Sequence, residues 1–341
     1  KNRGSKTPGI DGVIWRTPKQ KMNAALSLKR RGYKTKPLRR IYIPKKQKGK
    51  MRPLSIPAMA CRGQQALYKL ALEPAAEMIA DKNAYGFRPL RSTADAIGQC
   101  FNALSRRGSP EYILEADIKS CFDEISHSWL LNNIPMDKMM LKQWLQAGYI
   151  EKDQEIQPTL AGTPQGGLIS TTLLVVTLSG LESAVKAAIT NQKKDKVHVS
   201  VYADDFIITG TSRELLENKI QPAVENFLRE RGLSLSKEKT KITHINQGFN
   251  FLAVNIRNYS NGKLIMKPTK ENVSAFLTSI KQVIKSNPTA KTENLIHLLN
   301  PKIRGWANYY RHICAKRTFG YVDHHIFWAL WRWARRRHTN K

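Results

Sequence analysis

Residues 199–210 read "VSVYADDFIITG". Two apolar arms flank Asp204 and Asp205, the pattern of a β-hairpin whose arms enter a core. Adjacent carboxylates repel, and burying either one unpaired is expensive. The pair is either a solvated turn, a common setting for Asp, or a place where positive charge belongs. A third carboxylate, Asp117, ends an apolar strand that starts at Tyr112. With that strand laid beside the hairpin, three acids converge in one apolar neighbourhood and cannot all ionise without cations. Hard oxygen ligands select Mg²⁺, with Mn²⁺ as the alternative. Two such ions about 3.5–4 Å apart serve in-line phosphoryl or nucleotidyl displacement.

Composition supports a polyanionic partner. The 341 residues hold 57 Lys and Arg against 26 Asp and Glu, a formal charge of +31. Such an excess repels itself and favours nucleic acid. With 41% hydrophobic and 24% charged residues the chain is globular, long enough for two or three domains. Charge is concentrated at both ends. Residues 1–52 carry eighteen Lys and Arg and a single acid, Asp11, while residues 290–341 carry eleven against Glu293 and Asp323. Two basic flanks bracketing a balanced middle suit a clamp on phosphates. A membrane surface would need an amphipathic or lipidated anchor, and none is visible. The uncharged run 160–181 holds Pro164 and several Gly, Ser and Thr, so it does not read as a span. The four cysteines lack metal-ligand spacing and read as reduced thiols in a cytosolic compartment. The first residue is Lys1, within a basic stretch, which reads as a fragment of a longer protein.

A coarse pass places these features. Strands are expected at 39–43 and 51–56, joined by a basic loop. A helix over 60–80 follows, with Leu67, Leu70, Ala71, Met78 and Ile79 at helical spacing. Another begins after Ser92, with Asp95 in its first turn. The strand 112–118 is followed by helix over 128–148, the loop "GTPQGG" (162–167) and a buried helix over 168–188. An amphipathic helix ending at Gly232 precedes strands near 233–235, 242–245 and 249–256. From Lys270 onward the chain reads as helix. The order suggests an α+β catalytic domain and a helical module.

The motifs together resemble the sequence blocks of reverse transcriptases: "YADDF" (202–206), "LEADIKSCFDEI" (114–125) and "GTPQGG". "KTPGIDGV" (6–13), "RRIYIPKKQKGKMRPLSIP" (39–57) and "AYGFRPLRSTADAI" (84–97) narrow the resemblance to the group II intron-encoded type. "FLAVNIR" (251–257) and "IRGWANYYR" (303–311) resemble its primer-contacting segment and its maturase, or thumb, domain. The resemblance runs in order along nearly the whole chain. It implies an α+β right-hand polymerase fold: fingers over 1–110, a palm with an antiparallel sheet over 111–260, and an all-helical thumb over 261–341.

The same resemblance implies roles. Asp117, Asp204 and Asp205 would be catalytic and would hold two Mg²⁺ ions, helped by the Ile118 carbonyl. Lys45, Arg52, Cys121, Phe122, Gln165, Gly166 and Lys239 would bind the nucleotide substrate. Within this set, Phe122 would pack under the sugar and exclude a 2′-hydroxyl, and Lys239 would protonate departing pyrophosphate, with Lys237 and Lys241 as competitors. Gly166 and Gly167 would let backbone approach closely. Asp123 and Glu124 would cap backbone amides. Phe251 and Leu252 would grip the primer, and Arg304, Arg311, Arg332 and Arg335 would track RNA phosphates. Most thumb aromatics, from Trp306 to Trp333, would form its core. The implied partners are an RNA template, a DNA primer, dNTP and structured intron RNA, in a cytoplasmic, bacterial, nucleic-acid-associated setting with no membrane.

There are departures. Where the family continues "ISPLLANI" after the glycine loop, this chain has "ISTTLLVV", with Thr171 at the place of Pro. No zinc-finger-like or HNH endonuclease motif is present, so DNA cutting would lie elsewhere. Two other readings stay open: a splicing maturase with an idle polymerase site, and a domesticated relative in defence or repair.

Overall fold

The computed structural model describes residues 3–44, 49, 51–152 and 155–337. At its centre lies a four-stranded antiparallel sheet in the order Val199–Tyr202, Asp205–Gly210, Tyr112–Asp117, Lys241–His244. The central strand buries residues on both faces, because each face is covered. Leu114 and Ala116 face one cluster with Phe206, Ile208 and the helices Met59–Ile79, Ser170–Leu178 and Leu181–Ala187. Ile113 and Ile207 face another, with Ile97 and Cys100 of helix Thr93–Leu104 and the hairpin residues Phe249 and Phe251. Each Leu, Ile or Phe among them contributes about 1.5–3 kcal/mol when fully buried, so both faces of the sheet stabilise the fold.

Local chemistry sets the boundaries. Ser92 and Asp95 form a reciprocal capping box that starts helix Thr93–Leu104. The expected helix 168–188 is two helices, because Gly180 at φ 90° breaks it. The expected helix 128–148 is likewise split into His127–Asn133 and Lys138–Leu145, on either side of Pro135. Residues 233–235 contribute only a bridge from Leu235 to Ile118. The expected strand 249–256 is a tight hairpin, Phe249–Phe251 and Val254–Asn258, turning at Leu252 and Ala253. Strand Leu264–Pro268 extends this small sheet, so the helical part of the chain begins at Lys270.

The helix over 60–80 forms as Met59–Ile79, but the expected stripe faces outward. Leu67, Leu70, Met78 and Ile79 are exposed, while Met59, Cys61, Gln64, Gln65, Leu72 and Ala76 are buried. Gln65 earns its place inside by accepting the Leu168 amide at 2.9 Å through Oε1.

Two smaller units complete the fold. Strands Leu38–Pro44 and Met51–Ile56 pair antiparallel, with Tyr149–Ile150 on the outer edge of the first. Helices Lys270–Lys285, Thr292–Tyr310 and Lys316–Arg337 pack around Ile280, Leu299, Val322 and Trp333. Trp306 stacks on Phe276 at 4.6 Å within this bundle, but Trp328 and Trp331 stand exposed, so the expected aromatic core takes only part of the set. The bundle is tied to the small sheet by several hydrogen bonds: the Thr269 amide, which caps helix Lys270–Lys285, donates to the Ala253 carbonyl at 3.1 Å and the Cys314 amide to the Met266 carbonyl at 3.0 Å. The hydroxyls of Tyr309 and Tyr310 donate to the carbonyls of Leu252 and Ala253 at 2.8 and 3.2 Å.

Candidate active site

Register brings the acids together. Asp117 stands directly opposite Asp205 in the antiparallel ladder, at the end of the pairing. Directly opposed residues share a face, with Cβ atoms about 4.5–5.5 Å apart. Tyr202 also pairs with Asp205, so Ala203 and Asp204 form a two-residue turn. Ala203 takes φ 60°, the left-handed conformation such turns demand. Asp204 is thus on the turn itself, while Asp205 begins the outgoing strand. The Ile118 amide donates to the Asp204 carbonyl at 3.2 Å, which holds the turn against the strand carrying Asp117.

The turn is pinned from behind by residues 83–86. The Tyr85 amide donates to Val201 and the Val201 amide to Asn83, at 2.8 and 2.9 Å. A Cβ on Gly86 would lie 2.2 Å from the Ala203 nitrogen. Gly86→Ala therefore has to move backbone at the tip. We expect a loss of about 1–3 kcal/mol in urea unfolding, as for other overpacked sites.

The electrostatics follow from burial. Burial raises the Asp204 carboxyl above its ordinary range, and Asp117 adds to this, while Lys239 and Arg52 oppose it. Asp205 is pushed up to about 7 by burial, then by Asp117 and Asp204. Lys239 Nζ donates to Asp117 Oδ2 at 2.7 Å. Its competitor Lys241 is engaged elsewhere, paired with Glu115 at 3.3 Å. Among the described residues no three acid, His or Cys side chains already converge on one point. What stands there is two facing carboxylates, a third on the adjoining turn and one lysine. Three mutually repelling, oxygen-donating acids with a single paired cation are a donor set suited to hard divalent ions.

The remaining expected residues divide by position. Arg52 is exposed on strand Met51–Ile56. Lys45 lies outside the described residues. Phe122 is half-buried beside a cleft of about 300 Å³ that is also lined by Arg40, Ser55, Asp123 and Gln165. Its main chain is fixed by the Thr163 amide, which donates to its carbonyl at 2.6 Å. Gly162, at φ 80°, leaves room for that carbonyl, since a Cβ there would lie 2.5 Å away. Gln165 donates through Nε2 to Asp123 Oδ2 at 3.1 Å, so Asp123 orients Gln165. The Ser55 amide donates to the Gln165 carbonyl at 2.7 Å, and Gly166 at φ 120° lets the Ser55 carbonyl pass close.

Two expected contacts fall in the interior. Cys121 is buried beneath the sheet, where burial raises its thiol. Phe251 is 1% exposed, so the turn presents Leu252 instead. Arg304, Arg311, Arg332 and Arg335 are all exposed on the helical bundle or just beside it. Sequence reading missed Lys267, Lys270, Lys281 and Arg317, which rim a groove of about 580 Å³ floored by Val273 and Leu277. Their spacing across three elements carries no linear signal. Among the described residues no helix is long and apolar enough to cross a membrane.

Comparison with known proteins places the chain in a family. Residues 43–256 match the family described as reverse transcriptase (RNA-dependent DNA polymerase), and residues 273–341 match the group II intron maturase-specific domain. The group II intron-encoded protein LtrA of Lactococcus lactis subsp. cremoris is 27% identical over 406 residues, a span of 91% of this chain and 66% of that protein. Protein YkfC of Escherichia coli K12 is 31% identical over 294 residues, covering 74% of this chain and 76% of its own. Among solved structures, telomerase from Candida albicans, in complex with a fragment of telomeric RNA, superimposes with a TM-score of 0.54. It covers 85% of this chain and 55% of that one at 13% identity, a likeness of fold alone.

Proposed function

We propose, from the premise that this chain belongs to the reverse transcriptase family and carries the group II intron maturase-specific domain, that it is an RNA-dependent DNA polymerase. The chain spans 66% of the Lactococcus protein, and it is the site's own chemistry that supports the activity. One observation carries the reading: the register that sets Asp117 against Asp205, with Asp204 on the turn between strands.

Asp117, Asp204 and Asp205 would hold two divalent ions, Mg²⁺ or Mn²⁺. When bound, such ions lower the pKa of an attacking hydroxyl and neutralise charge on a leaving phosphate. The chain's own residues do the rest. Arg52, exposed and near enough for its charge to act on Asp204, offers a fork of donors to a triphosphate. Lys239 is close enough to Asp117 to donate a proton toward departing pyrophosphate. Gln165, held by Asp123 and Ser55, orients the base, and Phe122 closes the space under the sugar. Leu252 at its turn contacts the primer end, and the arginines of the bundle bind template and intron RNA in support of splicing.

The deciding experiment extends a DNA primer on an RNA template with Mg²⁺. Full-length cDNA is expected, and a protein that binds RNA yet makes none would favour the idle maturase. Phe122→Ala should admit ribonucleotides; unchanged sugar selection would remove the residue from this role. RNA affinity should fall steeply between low and moderate salt, because neutralised phosphates release counterions. A flat salt response would contradict the clamp formed by the two basic flanks.

A further inference from the structure

The ring that meets Phe122 comes from the other side of the site. Phe87 and Phe122 are edge to face, with centroids 6.1 Å apart and planes at 71°. That lies within the range where aromatic pairs attract beyond simple burial. Among the described residues Phe87 is the aromatic ring in contact with Phe122.

Phe87 holds an unfavourable place. It is a large apolar ring left 43% exposed, on a residue at φ 63°. A bulky side chain in left-handed backbone is a steric outlier. Such conformers persist where the surroundings over-determine them, and they gather at functional sites. Here both neighbours are anchored. Gly86, before it, is wedged against the catalytic turn at Ala203. Arg88, after it, is buried and makes four hydrogen bonds. Two go to the Glu77 carboxylate at 2.5 and 2.8 Å, and two to the carbonyls of Asp81 and Ala84 at 2.6 and 2.7 Å. Phe87 therefore extends from a rigid bridge between the catalytic turn and helix Met59–Ile79.

We propose that Phe87 is a positioning residue for sugar selection: its edge-to-face contact fixes the plane of Phe122 against the incoming nucleotide. This rests on the reading of Phe122 as the residue that excludes the 2′-hydroxyl. The main chain of Phe122 is held by Thr163, but a half-buried ring on a fixed main chain still turns about its side-chain torsions. Excluding one hydroxyl demands that the ring stay placed within about 0.5 Å. An edge-to-face contact with a second ring, carried on backbone anchored at Gly86 and Arg88, narrows the torsions open to both rings and supplies that constraint. Packing alone would bury Phe87, and a template-stacking role would affect deoxy- and ribonucleotides equally.

The test measures kcat/KM for a dNTP and for the matching rNTP in primer extension, and takes their ratio. Phe87→Ala should lower the ratio about three- to tenfold, in line with the worth of an aromatic edge contact. Phe87→Tyr, which keeps the edge, should retain it. The double variant Phe87→Ala, Phe122→Ala should match Phe122→Ala alone, because one residue acts through the other. If Phe122→Ala relaxes selection while Phe87→Ala keeps the wild-type ratio, the positioning role is overturned and the reading of Phe122 stands. Additive losses in the double variant overturn it too. If Phe122→Ala itself leaves the ratio unchanged, the underlying reading fails and the inference fails with it.

Discussion

Asp204→Ala yields no measurable cDNA, with synthesis at least about 10³-fold down, while RNA affinity stays within about twofold of wild type. The expectation follows from where Asp204 sits. It is on the two-residue turn, next to the Asp205 that faces Asp117, and its carbonyl accepts from the Ile118 amide. Removing the side chain leaves that backbone contact and the hairpin register intact, so the loss falls on chemistry. RNA contacts assigned to the exposed arginines of the helical bundle lie on other elements than the turn. Primer extension and filter binding on one preparation check both halves. Undiminished synthesis would end the assignment of the site.

The second large effect concerns stability. In EDTA, Asp205→Asn is more stable than wild type at about pH 8, by about 4 kcal/mol, and by under about 1 kcal/mol at about pH 4. Asp205 is raised from 3.8 to about 7 by burial and by its neighbouring acids. Between those values the folded protein keeps a proton that the unfolded chain has released. Wild-type stability therefore falls as pH climbs through the window, and the full cost is present above about 7. Asparagine has no such cost. Urea titrations at several pH values, with and without Mg²⁺, would show it. Mg²⁺ should restore wild type and not the variant, since binding to the deprotonated acids repays their repulsion. A variant no more stable than wild type at high pH would mean that Asp205 is not under this stress.

Much of this site is legible in the sequence, and the reason is periodicity. The arms of the 199–210 hairpin and the strand ending at Asp117 are so apolar that each can only lie in a buried sheet, which puts their acids at one end. The glycine loop is legible because its glycines serve close approach, as Gly166 does against Ser55. Other features carry no such mark. Helical spacing identifies a stripe on Met59–Ile79 but not which face is covered, and here Gln64 and Gln65 are inside while Leu67 and Leu70 are out. The turn at Leu252 and Ala253 has neither Gly nor Asn, yet both residues take positive φ, 49° and 61°. Neither residue favours it by itself; two tyrosine hydroxyls more than fifty residues away, and the Thr269 amide, hold its carbonyls. The pairing of Lys239 with Asp117 and the meeting of Phe87 with Phe122 likewise arise only when distant segments are folded together.

The Tyr309 and Tyr310 contacts with that turn have a consequence for how far one enzyme travels along a template. They join the last turn of helix Thr292–Tyr310 to the tip of the small hairpin. A swing of the bundle carries Leu252 with it, and a push on Leu252 is felt at the arginines beyond. Under the polymerase reading, hold on the RNA and hold on the growing DNA end cannot slacken separately. Processivity then depends on this junction, where the two phenol hydroxyls act together with the amides of Thr269 and Cys314.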